Sequence, residues 1–146
     1  MTADFIDKAR ALAIAAVLAA FAAGAAQAQV AAQPPAAALS PMPDGVQVRN
    51  GDLIDPTGLP LYTFDFDTMV GMSHCVGVCL SAWRPFLAPA GARPMGDWTL
   101  IGREDGAVQW AYKAKPLYTY LKDTPGGRAT GARQDNWRTA ESTPGS

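Results

Sequence analysis

Residues 60–68 read PLYTFDFDT and residues 116–124 read PLYTYLKDT, so one phrase occurs twice, 56 positions apart. Both copies contain PLYT, an aromatic residue two positions after the tyrosine, and a closing aspartate–threonine pair. Such self-similarity indicates that one supersecondary unit is used twice, and the chain is predicted to fold as two similar halves. Neither copy contains a nucleophile–base pair, which favours a scaffold or a binding surface over an active site.

The repeated phrase has the composition of a β-strand that ends in a turn. Because side chains alternate between the faces of a strand, its two aromatic rings share one face, and rings on neighbouring strands are predicted to pair at up to about 1 kcal/mol each. The aspartate that follows is suited to accept backbone N–H bonds and fix a turn. The motif is therefore predicted to be mainly structural, with a ligand surface of aromatic and acidic side chains as the alternative. The motif residues are Tyr62, Phe64, Asp67, Tyr118, Tyr120 and Asp123.

Strand patterns dominate the rest of the domain. Alternating or β-branched and aromatic segments occur at 46–49, 61–64, 98–101, 108–112 and 117–120, separated by turn dipeptides such as Asn50-Gly51 and Asp105-Gly106. The helix candidate, at 75–83, is predicted to end before Pro85. We expect a mainly β fold, an antiparallel meander built from two similar repeats with one short helix between them.

The front of the chain has the layout of a secretory signal peptide. Lys8 and Arg10 precede an apolar segment at 11–26, and Ala26-Gln27-Ala28 forms a small-x-small cleavage pattern. The apolar segment is shorter than the roughly 20 residues of a membrane-spanning helix. We therefore expect cleavage after Ala28, no stable membrane anchor afterwards, and a periplasmic or secreted protein.

Composition divides the chain further. The predicted signal peptide, 1–28, is followed by an Ala/Pro-rich linker at 29–44, a two-repeat β domain at 45–138 and a disordered polar tail at 139–146. The formal net charge is −1. This near-neutral charge argues against nucleic acid, which needs a basic surface, and against an anionic membrane surface.

The two cysteines, Cys75 and Cys79, form one C-x-x-x-C segment. In an exported protein a disulfide is the default for a cysteine pair. The alternative is a copper or thiol-redox site that also uses His74 and Met72, because thiolate, thioether and imidazole together favour Cu(I) or Zn. Two cysteines and one histidine fall short of a closed tetrahedral site. Free, inert thiols are the third possibility.

Four segments in order resemble one known family. The segments are the repeated tyrosine–x–aromatic–x–x–aspartate phrase, CVGVC at 75–79 followed by WRPFL at 83–87, and DGAVQW at 105–110. They are similar to the secreted-repeat family of predicted bacterial lipoproteins with a conserved Yx(FWY)xxD motif. The resemblance covers about residues 45–137. It implies a repeat fold and an envelope location, and the family carries no biochemical activity to transfer. The lipid-attachment cysteine is missing at the predicted cleavage site.

Together these patterns favour an exported cell-envelope protein that is a non-enzymatic binding or interaction module. No catalytic residue and no cofactor are predicted, and the partner is an unidentified envelope protein or small ligand. The alternative function is periplasmic copper handling or thiol–redox chemistry at Cys75, Cys79, His74 and Met72.

Overall fold

The computed structural model describes residues 41–142, which form three small antiparallel sheets. The strands of this part of the chain are β1 (Gln47–Arg49), β2 (Asp52–Ile54), β3 (Tyr62–Phe64), β4 (Trp83–Pro85), β5 (Trp98–Gly102), β6 (Val108–Tyr112), β7 (Lys115–Pro116), β8 (Tyr118–Tyr120) and β9 (Trp137–Thr139). The predicted mainly β, antiparallel fold with two repeats is confirmed.

Two of the sheets follow the chain, and the third does not. β1 and β2 form a hairpin, and β5, β6 and β7 form a three-stranded meander. The four-stranded sheet has the order β4-β8-β3-β9, so no two of its neighbours are consecutive in sequence. The repeats are therefore joined by exchange of strands within one sheet, an arrangement that a simple meander does not contain.

The predicted helix is a single 3₁₀ helix, Gly77–Ser81, between β3 and β4. Val76, Gly77 and Val78 are poor α-helix formers, and Gly77 has a positive φ of 56°. A short 3₁₀ turn tolerates such a sequence better than a regular α-helix does. A second 3₁₀ helix, Gly131–Arg133, precedes β9 in the second repeat.

The four-stranded sheet shows the internal symmetry directly. Tyr62 and Tyr118, the equivalent motif tyrosines, are register partners where β3 pairs with β8. Outside this central pair, Trp83 of β4 lies opposite Tyr120, and Trp137 of β9 lies opposite Phe64. Each motif strand thus has the other motif strand on one side and a tryptophan strand on the other.

Backbone hydrogen bonds repeat this symmetry outside the sheet. The Leu53 N–H donates to the Ala140 carbonyl at 2.8 Å, the Ala140 N–H to Leu61 at 2.8 Å, and the Leu61 N–H to Leu53 at 2.9 Å, which closes a ring of three segments. An equivalent ring, with distances of 2.8, 2.8 and 3.0 Å, joins Trp110, Phe86 and Leu117. Each ring therefore joins a hairpin strand to the residue before a motif strand and to the residue after the tryptophan strand that pairs with that motif strand.

The core consists of two hydrophobic clusters. One cluster includes Leu53, Leu61, Leu117 and the fully buried Trp98. The other is aromatic and includes Tyr62, Trp83, Tyr118, Tyr120 and Trp137, together with Cys75. Burial of these large side chains supplies most of the stability that a domain of this size needs.

The ordered domain extends past both predicted boundaries. Met42 packs against the first cluster and the Pro43 carbonyl accepts a bond from the Val46 N–H at 3.1 Å. At the other end Ala140 is buried, and the Ser142 N–H donates to the Gly51 carbonyl at 2.7 Å. The domain therefore begins before Gly45 and continues beyond Arg138. The predicted signal peptide, most of the linker and residues 143–146 lie outside the described residues.

Within residues 41–142, none of the helices has the length and apolar character to cross a membrane.

Candidate functional site

The tyrosine and aspartate of the repeated motif are bonded across the repeats. The Tyr118 hydroxyl donates to Asp67 Oδ2 at 2.6 Å, and the Tyr62 hydroxyl donates to Asp123 Oδ2. All four residues are buried, with the aspartates 2% and 9% exposed. Each repeat therefore supplies the hydroxyl for the carboxylate of the other, and we call these contacts the crossed Tyr–Asp pairs.

The second oxygen of each motif aspartate fixes a loop. Asp67 Oδ1 accepts the His74 N–H at 2.6 Å, and Asp123 Oδ1 accepts the Thr130 N–H at 3.0 Å. Both contacts are made seven residues after the aspartate. The prediction that these carboxylates accept backbone N–H bonds is confirmed, although each holds a longer loop than a simple turn.

The environment keeps the two motif tyrosines, Tyr62 and Tyr118, in the neutral form. Burial is the largest cause that raises the pKa of each hydroxyl, and the hydrogen bond to the facing aspartate raises it further. Each phenol therefore remains a hydrogen-bond donor far into the alkaline range. Such a hydroxyl suits a structural contact, and it is a poor general base at neutral pH.

The motif rings pack inward on tryptophans. Tyr62 meets Trp83 edge to face at 5.2 Å between ring centroids, and Tyr118 meets Trp137 in the same way at 5.1 Å. Trp83 and Trp137 are themselves stacked at 3.4 Å. Phe64, which is half-buried, stacks on Trp137 at 4.5 Å. The motif aromatics thus build the core and do not form the exposed ligand surface considered as an alternative.

The two crossed pairs differ in what surrounds them. At Tyr62 the hydroxyl also accepts the Gly131 N–H at 3.2 Å, and Gly131 is so close that a Cβ there would lie 2.8 Å from the rings of both Tyr62 and Trp83. At Tyr118 the hydroxyl lies 2.6 Å from Ser73 Oγ instead. Backbone and aromatic rings surround the pair at Tyr62, whereas the pair at Tyr118 is in contact with further polar groups.

Arg103 continues this polar chain. Its Nη1 donates to Ser73 Oγ at 2.9 Å and to Gln109 Oε1 at 2.7 Å, and its Nη2 donates to the Cys75 carbonyl at 3.0 Å. The buried Gln109 in turn donates to the Leu117 carbonyl at 2.7 Å. Among the described residues Arg103 forms no ion pair. Arg103 thereby ties the connection between β3 and β4 to the second repeat, a role that the sequence did not reveal.

Residues 65–82, which connect β3 to β4 within the first repeat, form what we call the inter-repeat loop, because they contact Tyr118 and Arg103 of the second repeat. Cys75 and Cys79 are joined by a disulfide with a Cα–Cα distance of 5.3 Å, which confirms the predicted bond. The predicted copper site uses the thiolates of Cys75 and Cys79, and the bonded sulfurs do not provide them. His74 and Met72 lie on the same loop, and His74 Nδ1 is 3.6 Å from Asp67 Oδ1. The copper hypothesis therefore stays a prediction for the reduced chain alone.

The inter-repeat loop is unusually apolar at its surface. Of the ten large hydrophobic residues that are exposed in the described part of the chain, seven lie between positions 66 and 80. Residues 68–81 also contain no lysine, arginine, aspartate or glutamate. The seven are Phe66, Met69, Val70, Met72, Val76, Val78 and Leu80. The sequence signal for this surface is the apolar, uncharged composition of the segment, which the interpretation of Met72 as a metal ligand does not use.

A groove of about 510 Å³ lies between this loop and the turn that follows β5. Met72, Val76 and Leu80 line it from the loop, and Arg103, Glu104 and Asp105 line it from the turn. Its size falls within the range of small-ligand or short-peptide sites.

Comparison with known proteins places the chain in a family. A family model described as a secreted repeat of unknown function matches residues 46–86 and again residues 99–141, together more than half of the chain. The first match contains β1 to β4 together with the 3₁₀ helix Gly77–Ser81, and the second contains nearly all of β5 to β9. The short helix therefore lies within the first repeat and not, as had been predicted, between the repeats; residues 87–98 connect the two matches. No curated protein and no solved structure matches the chain. The chain therefore belongs to this family of secreted repeats and carries two copies of the repeat.

Proposed function

We propose that this protein is a non-enzymatic binding module of the cell envelope and that the inter-repeat loop is the surface with which it contacts a partner protein. The observation that carries the proposal is the concentration of exposed apolar side chains on that loop. A contiguous apolar surface is uncommon on a monomeric protein and is typical of interaction sites.

The loop is held in place before any partner binds. The Asp67 carboxylate accepts the His74 N–H, and the Arg103 guanidinium donates to the Cys75 carbonyl. A disulfide also joins Cys75 to Cys79. A surface that is already ordered loses little conformational entropy on association, so more of its contact energy remains as affinity. This rigidity separates the loop from an ordinary mobile connection with scattered apolar residues.

The charge of the loop supports a protein partner over other macromolecules. Nucleic acid and anionic lipid surfaces are bound through clustered lysine and arginine side chains. Residues 68–81 contain neither, and the whole chain has a formal net charge of −1. The family description as a secreted repeat supports a partner in the envelope or outside the cell.

Site-directed photo-crosslinking in the exported fraction tests the proposal. A photoreactive amino acid is placed at Val78, which is 91% exposed on the loop, and separately at Leu87, which is 51% exposed outside it. We expect a discrete crosslinked protein from position 78 and none from position 87. Excess unlabelled protein is expected to compete for this product, whereas excess Val70→Ser, Val78→Ser variant is not.

This design keeps the proposal open to refutation. Val70 is 82% exposed, so the double serine variant is expected to fold normally. Equal crosslinking from positions 78 and 87, or equal competition by both proteins, would show that the loop is no specific contact surface. A product that consists of two copies of this chain would overturn the proposed partner class.

A further inference from the structure

The groove beside the inter-repeat loop has two chemically different walls. Met72, Val76 and Leu80 make one wall mainly apolar, although Ser73 and His74 also line it. Glu104 and Asp105 place two exposed carboxylates on the other wall. A ligand that fills the groove must therefore cover apolar side chains and face acidic ones at the same time.

The positive charge in the second wall is directed elsewhere. The guanidinium of Arg103 donates to Ser73, Gln109 and the Cys75 carbonyl, and its Nε is buried. These contacts turn the charged group toward the polar chain beneath the loop. Arg103 consequently offers little to an anionic ligand in the groove.

The carboxylates, in contrast, retain free acceptors. Glu104 forms no hydrogen bond or ion pair with any described residue. Asp105 uses Oδ1 to accept the Ala107 N–H at 3.0 Å within its own turn, and its second oxygen has no partner among residues 41–142. Two carboxylates that keep free acceptor oxygens and lie next to a mainly apolar wall are complementary to a cation carried by an apolar chain.

From this complementarity we infer that the groove takes an extended apolar peptide segment of the partner that carries a lysine or arginine side chain. The inference rests on the proposed function, since it names the part of the partner that the loop and its groove receive. The apolar residues cover Met72, Val76 and Leu80, and the basic side chain reaches Glu104 and Asp105. The volume of about 510 Å³ accommodates a segment of a few residues.

Three capped peptides that differ at one position test the inference. The full-length exported protein, labelled with ¹⁵N, is titrated with LVKVL, LVQVL and LVEVL, each acetylated and amidated, while the amide signals of Gly77 and Gly102 are followed. Both glycines line the groove. We expect LVKVL to bind about threefold to tenfold more tightly than LVEVL, with LVQVL between them, because exposed charge pairs contribute modestly. The preference is expected to weaken as salt is raised.

Two variants separate the acidic wall from general charge. Glu104→Gln removes one unpaired carboxylate and is expected to halve the preference for LVKVL or reduce it further. Glu141→Gln removes an exposed carboxylate that does not line the groove, and it is expected to leave the preference unchanged. Both positions are exposed, so neither variant is expected to unfold the domain.

The outcomes distinguish this inference from the proposed function. Equal affinity for the three peptides, or no shift at Gly77 and Gly102, overturns the inference while the crosslink at Val78 can still support a protein partner. An equal loss of preference in Glu104→Gln and Glu141→Gln also overturns it. If neither the peptides nor the crosslink gives a specific signal, both proposals fail.

Discussion

The crossed Tyr–Asp pair at Tyr118 gives the sharpest prediction about stability. Tyr118→Phe removes the hydroxyl that donates to Asp67 Oδ2 at 2.6 Å and that lies 2.6 Å from Ser73 Oγ. A hydrogen bond to a charged group contributes about 1.5–3 kcal/mol, and a buried carboxylate oxygen left unpaired adds to the loss. We expect the free energy of unfolding to fall by about 2–4 kcal/mol, a large share of the roughly 5–15 kcal/mol of a typical domain.

Tyr112→Phe is the matched control. Tyr112 is also buried, at 7% exposed, and its hydroxyl forms no hydrogen bond with the described residues. Removing that hydroxyl is expected to change the free energy of unfolding by less than about 0.5 kcal/mol. The comparison therefore separates the crossed contact from the general effect of deleting a phenol oxygen on a buried ring.

Denaturant unfolding with a double-mutant cycle measures the contact. Tyr118→Phe, Asp67→Ala and the double variant are unfolded in urea, and midpoints are compared at a common slope. We expect the double variant to be less destabilised than the sum of the single variants by at least about 1 kcal/mol, as for residues in direct contact. The reasoning is refuted if Tyr118→Phe costs no more than Tyr112→Phe, or if the single effects simply add.

Three further predictions concern other parts of the domain. The folded state raises the pKa of both motif tyrosines, so their contribution to stability is present below the ordinary pKa of about 10. It is lost as the pH rises above that value, by about 1.4 kcal/mol per pH unit for each tyrosine. Denaturant unfolding at increasing pH measures this loss. Gly131→Ala is expected to cost about 1–3 kcal/mol through the ring contacts described above, whereas Gly102→Ala, with nothing within 4 Å of its added Cβ, is expected to be close to neutral in the same assay. The double variant Cys75→Ser, Cys79→Ser is expected to lower the free energy of unfolding by roughly 2 kcal/mol, the chain-entropy value for so short a loop. It is also expected to reduce crosslinking from the inter-repeat loop. An unchanged crosslink yield would mean that the disulfide does not hold the surface.

The sequence predicted those strands that carry their own pattern. The strand at 108–112 was placed at its observed bounds, and the aromatic motif strands were placed within a residue. The short strands β2 and β7 were not predicted. Nor were β4 and β9, whose residues do not belong to a longer alternating or aromatic segment. β4 and β9 become strands only by pairing with a motif strand distant in sequence. Pro85, which suggested the end of a helix, is instead accommodated on β4 at the edge of its sheet.

The site was less predictable than the fold, for a related reason. The spacing within each copy shows that a tyrosine and an aspartate belong together, but it does not show that the partners come from different copies. That exchange follows from the antiparallel register of Tyr62 on Tyr118, which is a tertiary property. Arg103 was missed because its contacts to Ser73 and Cys75 are long-range.

The central claim is that the repeated motif holds the fold while the inter-repeat loop contacts the partner. The most direct measurement compares the Tyr118→Phe variant with the double variant Val70→Ser, Val78→Ser. For each protein the urea midpoint is measured, and so is its ability to compete for the crosslink from position 78. We predict that the first variant loses stability and still competes while folded, and that the second keeps its stability and fails to compete. The reverse result, with the serine variant competing normally and the folded Tyr118→Phe variant failing, would contradict the account.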